Sequence, residues 1–85
     1  MQIYLGETGL NRSWQEDFPS TVKCHKCGAE ARIMFVAFED ITEGDFVCGL
    51  RDNGGKGDYW LHDCCAVAVY LCSNCFEPNA IINQA

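Results

Sequence analysis

Two Cys-x-x-Cys pairs hold the clearest chemical potential of this chain: Cys24-His25-Lys26-Cys27 and Cys72-Ser73-Asn74-Cys75. Two residues between thiols let a tight turn aim both sulfurs at one point. Two such turns supply four sulfurs, the tetrahedral set that Zn2+ prefers. The spacing therefore predicts one metal ion per chain held by Cys24, Cys27, Cys72 and Cys75. Zn2+ is the expected ion; iron is the alternative that a four-thiolate set also accepts. The competing readings are two local disulfides or two unrelated pairs of thiols. Paired turns of this form are the more specific signal. The 44 residues between Cys27 and Cys72 form a loop whose closure costs about 3 to 4 kcal/mol plus a constant. Structural zinc contributes about 10 to 16 kcal/mol of apparent binding energy in small peptides, so binding outweighs closure.

Three cysteines stand outside these pairs: Cys48, Cys64 and Cys65. Cysteine is often a small buried hydrophobe, and that is the expectation for all three. The sharper alternative is a second metal site. On a continuous strand His62 and Cys64 point to the same face, and Cys48 could join them from a neighbouring strand, with Asp63 or a Glu as base. Three ligands with an open position have the outline of a catalytic centre, but no register is specified that would bring them together. His25 lies inside the first turn and is expected to be exposed. Gly54-Gly55-Lys56-Gly57 fails as a phosphate loop, because no glycine stands five positions before Gly55 and Gly57 follows the lysine. Asp52 and Asp58 lack the ligand spacing of a calcium loop. No Ser-His-Asp arrangement stands out, and no catalytic residue or small-molecule substrate is assigned.

The turns need strands to carry them. Gln2–Leu5 reads as a short strand. Glu30–Asp40 is rich in β-branched and aromatic residues and reads as a longer one. Strict alternation there puts Ile33 and Phe35 on one face and Met34, Val36 and Phe38 on the other. Phe46–Arg51 and Tyr59–His62 are further strand candidates, joined by a loop at 52–58. Cys64–Leu71 continues the pattern or follows a break at Asp63. Glu77-Pro78-Asn79 reads as a turn before a short last strand, Ala80–Ile82. Ser13-Trp14-Gln15-Glu16 has the form of a capping box, which predicts one helical turn over Ser13–Phe18 with Trp14 and Phe18 on one face, stopped by Pro19.

The expected architecture is a small all-β, metal-stapled domain: an antiparallel sheet of about four or five strands with a short N-terminal helical turn. With 85 residues the chain makes one domain, and a core of this size is marginal without a staple. Residues 1–22 are expected to pack on the sheet and 23–85 to form the metal-bound β core. Two strands are apolar on both faces, so either the N-terminal segment or a second copy must cover one side.

Seven cysteines are an odd count, and Met1–Glu7 lacks the basic start and apolar run of a secretory signal. A reducing cytoplasm is therefore the expected setting. No apolar run approaches the length of a membrane span. Lys plus Arg number 6 against 12 Asp plus Glu, for a net charge of −6, and four thiolates with one Zn2+ make the loaded form more negative still. Nucleic acid is disfavoured as a partner on these charges; Lys23, Lys26 and Arg32 form only a small basic patch.

The two cysteine pairs together resemble the zinc ribbons and, more broadly, the rubredoxin-like group, in which two knuckles on β-hairpins hold one metal. Cys24-x-x-Cys27-Gly28 matches the usual knuckle, including the glycine after the second ligand. The second knuckle departs, with Phe76 where a glycine is common, and neither knuckle has the proline often found after its first cysteine. The resemblance covers about ten residues. It implies Cys24, Cys27, Cys72 and Cys75 as ligands and zinc as a structural ion. The expected role is a protein-interaction module, with a protein partner or self-association. The alternatives are a rubredoxin-like iron electron carrier and a metalloenzyme with a second site at Cys48, His62 and Cys64.

Overall fold

The computed structural model describes residues 1–40 and 64–85. Five strands follow in chain order: β1 (Gln2–Leu5), β2 (Thr21–Lys23), β3 (Glu30–Phe38), β4 (Cys65–Cys72) and β5 (Pro78–Gln84). All pair antiparallel in the order β1-β3-β4-β5, and β2 shares one edge of β3 with β1. This is the small open antiparallel sheet that the sequence predicts. The expected strands at 46–51 and 59–62, and the loop between them, lie outside the described residues. Among the described residues no helix is long and apolar enough to cross a membrane.

Two hairpins carry the cysteine turns. β2 and β3 flank the first, and β4 and β5 flank the second. β3 runs away from the first turn and β4 runs back towards the second. Their pairing sets Ala31 opposite Cys72 and Phe38 opposite Ala66. The two turns therefore meet at one end of the sheet, brought there by ladder hydrogen bonds between β3 and β4. That pairing supplies much of the closure that a free loop would otherwise have to pay for in entropy.

Three details differ from the sequence expectation. The register shifts between Ile33 and Phe35, at a β-bulge on Met34. A bulge places one extra residue on one strand and breaks the alternation. Ile33 consequently pairs with Tyr70 and shares a face with Val36 and Phe38, while Phe35 pairs with Val69 on the opposite face. Second, the N-terminal helical turn exists, but it spans Gly6–Gly9 rather than Ser13–Phe18. Ser13 Oγ accepts from Gln15 N at 3.1 Å and donates to the Glu16 carbonyl at 2.6 Å. Its hydroxyl is used to close a local turn, a standard competitor of helix capping. Third, β5 is longer than predicted. Pro78 opens it, at the first position of a strand, where a missing N–H is tolerated, and Asn79 belongs to the ladder rather than to a turn.

One face of the sheet is covered by the chain's own N-terminal segment. Ala31, Val36, Phe38, Ala66, Ala68, Tyr70 and Cys72 form its buried floor together with Phe18. Trp14 stacks on Phe38 with ring centroids 5.0 Å apart. The small alanines leave room for those aromatic rings, each of which buries a large apolar area. Polar bonds hold the segment in place. Trp14 N donates to Asn83 Oδ1 at 3.2 Å, Asn83 Nδ2 donates to Ser13 Oγ at 2.9 Å, and Tyr70 OH donates to the Pro19 carbonyl at 2.7 Å. Gly9 allows the closest approach: a Cβ there would lie 2.5 Å from Tyr4 Cβ and 3.0 Å from Val36 Cβ.

The opposite face carries two apolar rows that cross four strands. The register aligns Ile3, Ala37, Val67 and Ile82 in one row and Leu5, Phe35, Val69 and Ala80 in the other. Ile3, Leu5 and Ile82 are 55%, 72% and 51% exposed, so the ends of these rows are open to water.

Candidate metal centre

The first cysteine turn folds back on itself through three bonds donated by main-chain N–H groups, two to carbonyls and one to a sulfur. Cys24 N donates to the Ala29 carbonyl at 2.7 Å, Gly28 N to the Cys24 carbonyl at 3.0 Å, and Lys26 N to Cys24 Sγ at 3.4 Å. The second turn repeats each bond at the equivalent residue. Cys72 N donates to the Glu77 carbonyl at 3.1 Å, Phe76 N to the Cys72 carbonyl at 3.0 Å, and Asn74 N to Cys72 Sγ at 3.4 Å. In each turn the residue after the second cysteine must adopt a left-handed backbone. Gly28 does so at φ 79°, where glycine is free of strain. Phe76 does so at φ 58°, alone among the described non-glycine residues. The sequence departure at Phe76 therefore leaves the knuckle geometry intact, at a backbone cost of about 1–2 kcal/mol.

The two turns bring all four predicted sulfurs together. The Sγ atoms of Cys24, Cys27, Cys72 and Cys75 lie within 4.8 Å of one another. Cys24 Sγ is 3.8 Å from Cys75 Sγ, and Cys27 Sγ is 3.4 Å from Cys72 Sγ. A tetrahedron with metal–sulfur bonds near 2.3 Å has sulfurs about 3.8 Å apart, so the cage fits an ion of that kind. None of the four forms a disulfide. Cys24 and Cys72 are buried, Cys75 is half-buried and Cys27 is exposed. Four thiol ligands with no carboxylate or histidine among them make a closed set, suited to holding an ion rather than to offering it to a substrate.

The cage has a second layer of donors. Asn79 Nδ2 donates to Cys24 Sγ at 3.6 Å, and Asn74 Nδ2 donates to Cys27 Sγ at 3.7 Å. His25 is exposed, as predicted, with Nε2 3.4 Å from Glu77 Oε1, and Lys26 Nζ lies 3.8 Å from Glu77 Oε2. Such exposed pairs contribute little to stability. Neither asparagine was singled out by the cysteine spacing. The available signal for Asn79 is a polar residue at a position that faces the core, directly opposite Tyr70.

The thiols are poised unequally. The Cys27 backbone N–H, acting against burial and helped by Lys26 N, Asn79 and Cys75, lowers Cys24 to about 6. The Ala29 backbone N–H, with Cys72 and Asn74, lowers Cys27. At Cys75 the Glu77 backbone N–H favours the thiolate but is outweighed by burial and by the sulfurs of Cys27, Cys72 and Cys24, and the thiol is pushed up to about 12. Four sulfurs this close cannot all be anions unless a cation sits among them. The metal-free cage thus favours the proton on Cys75 and the thiolate at Cys24.

Of the remaining predicted groups, Cys65 is buried as expected, at 1% exposure. It accepts from Gln84 Nε2 at 3.5 Å. Cys64 is half-buried, and Cys48 and His62 lie outside the described residues, as does the glycine-rich loop. Among the described residues the four-cysteine cluster is the one group of His, Cys, Asp and Glu side chains arranged to hold a metal ion. Comparison of the chain with protein-family models, with curated proteins and with solved structures finds no match.

Proposed function

We propose that this chain is a zinc-ribbon-like protein in which one structural Zn2+, held by Cys24, Cys27, Cys72 and Cys75, staples two β-hairpins together. The observation that carries the reading is the equivalence of the two turns, bond for bond, around a single cluster of four sulfurs. Chance pairs of thiols have no reason to share that construction. Zinc is the ion because the ligand set is closed and a structural staple needs no redox change. In this position the ion adds binding energy that a small core lacks.

The protein's role is to present a surface to another protein or to a second copy of itself. The support is the pair of apolar rows on the uncovered face and a net charge of −6, which disfavours nucleic acid. A catalytic role gains no support from the closed ligand set.

Elemental analysis of the purified chain tests the metal. One zinc per chain and no visible absorption is the expected result. One iron per chain with a thiolate-to-iron absorption would replace this reading with an electron carrier. Sedimentation mass of the wild type and of Leu5→Glu tests the surface: self-association that the substitution abolishes identifies a second copy as the partner.

A further inference from the structure

We infer that Asn79 is a positioning residue of the metal centre, whose single amide group locks the first cysteine turn to the strand that follows the second. The inference rests on the four-cysteine metal reading and adds a residue that the ligand pattern does not contain.

Asn79 is 8% exposed, and its amide uses every hydrogen-bonding position it has. Oδ1 accepts from the His25 backbone N–H at 2.9 Å and lies 2.7 Å from His25 Nδ1. Nδ2 donates to the Glu77 carbonyl at 3.0 Å and to Cys24 Sγ at 3.6 Å. An amide offers two donor hydrogens and two acceptor lone pairs, and all four have partners here. The orientation of the amide follows from two partners that have no choice of role. A main-chain N–H can only donate, so it faces Oδ1, and a main-chain carbonyl can only accept, so it faces Nδ2. The remaining Nδ2 hydrogen must then point at Cys24. The same logic places a proton on His25 Nδ1, directed at Oδ1.

The partners come from both halves of the cage. His25 and Cys24 belong to the first turn, and Glu77 and Asn79 follow the second. Asn79 thus joins the two hairpins independently of the ion, and it orients Cys24 Sγ towards the other sulfurs. Aspartate cannot replace it, because the Glu77 carbonyl and the Cys24 sulfur would both face an acceptor. Asn74 makes a parallel contact to Cys27 at 3.7 Å, but from an exposed position, where water competes. Partners that orient ligands in this way are typically worth about 10–100-fold in metal affinity.

The test compares the full-length wild type with Asn79→Ala, Asn79→Asp and, as a control on the same strand, Asn83→Ala, whose partners are Ser13 and Trp14. Zinc affinity is read by competition with a chromophoric chelator. The environment of the sulfurs is read from the thiolate-to-metal charge-transfer band of the cobalt-substituted protein. Both Asn79 variants are expected to lose about 10–100-fold in affinity, with the band moving to longer wavelength as Cys24 loses its donor. Asn83→Ala is expected to leave affinity and band at their wild-type values. A direct measurement on the wild type needs no variant: loading with NMR-active cadmium should give a coupling between the metal and an Asn79 side-chain proton. Wild-type affinity and an unmoved band in Asn79→Asp, or no coupling in the cadmium form, would overturn the role of Asn79 alone. A wild-type chain that takes up neither zinc, cobalt nor cadmium would instead overturn the metal reading beneath it.

Discussion

The first and second cysteine turns are made with the same three hydrogen bonds from main-chain N–H groups and with different residues at the strained position. Gly28 enters the left-handed region freely; Phe76 enters it carrying a side chain that is 71% exposed and so gains little burial in return. The first turn also receives both side-chain amides, Asn79 on Cys24 and Asn74 on Cys27, and its thiols are shifted towards the thiolate, whereas Cys75 in the second is shifted towards the thiol. Equivalent geometry thus coexists with unequal chemistry. The first turn is prepared for a cation before it arrives, and the second becomes fully ionised only through the metal.

The largest effect tests the equivalence. Cys24→Ser and Cys72→Ser occupy matching places, and each is expected to remove stoichiometric zinc and unfold the domain, read by elemental analysis and thermal melting. Loss of metal in one and retention in the other would break the symmetry that the hydrogen bonds describe. The next effect tests the inequality. With Cys75 pushed up to about 12, the ion must displace its proton, so zinc affinity should fall by at least about tenfold for each unit of pH lowered between 8 and 6. Cys24, lowered to about 6, adds a further proton near and below that point, where the slope should steepen. Within the metal-free chain the sign is the same: the depressed Cys24 contributes stability above its unfolded value that disappears as pH falls through about 6. An affinity independent of pH over this range would refute the unequal poise.

Two smaller substitutions should act with opposite signs at the matching position. Gly28→Ala forces a Cβ into the left-handed region at φ 79°, 3.4 Å from Lys23 Cε, and should destabilise the zinc form by about 1–2 kcal/mol. Phe76→Gly relieves that same strain and should stabilise by about 0.5–1 kcal/mol after the entropy of glycine is subtracted. Both are read from denaturant midpoints of the zinc-loaded chain. A destabilising Phe76→Gly would mean that the aromatic ring makes a contact worth more than its backbone strain.

Much of this architecture is legible in the residues themselves. The paired cysteines locate the cage, because two Cys-x-x-Cys turns can each aim two sulfurs at one point. Glu30–Phe38 and Cys65–Cys72 announce themselves by their β-branched and aromatic content. What stays hidden depends on partners distant in sequence. Thr21–Lys23 is a strand only because Ala31 and its neighbours offer an edge. The bulge at Met34 reverses a face that alternation alone assigns wrongly, and nothing local marks it. Ser13 and Glu16 match a helix start, but Asn83, seventy positions away, competes for the serine. Asn79 looks like a turn residue until Tyr70 is seen opposite it.

The two rims of the sheet are unlike. One is divided between β1 and β2, of four and three residues, with neither long enough to template an incoming chain. The other is β5, seven residues with Ile81 and Ile82 at its centre, and among the described residues it pairs on one side only. Among the described residues, lateral strand addition, whether by a productive partner or by an aggregating neighbour, begins most readily on this rim.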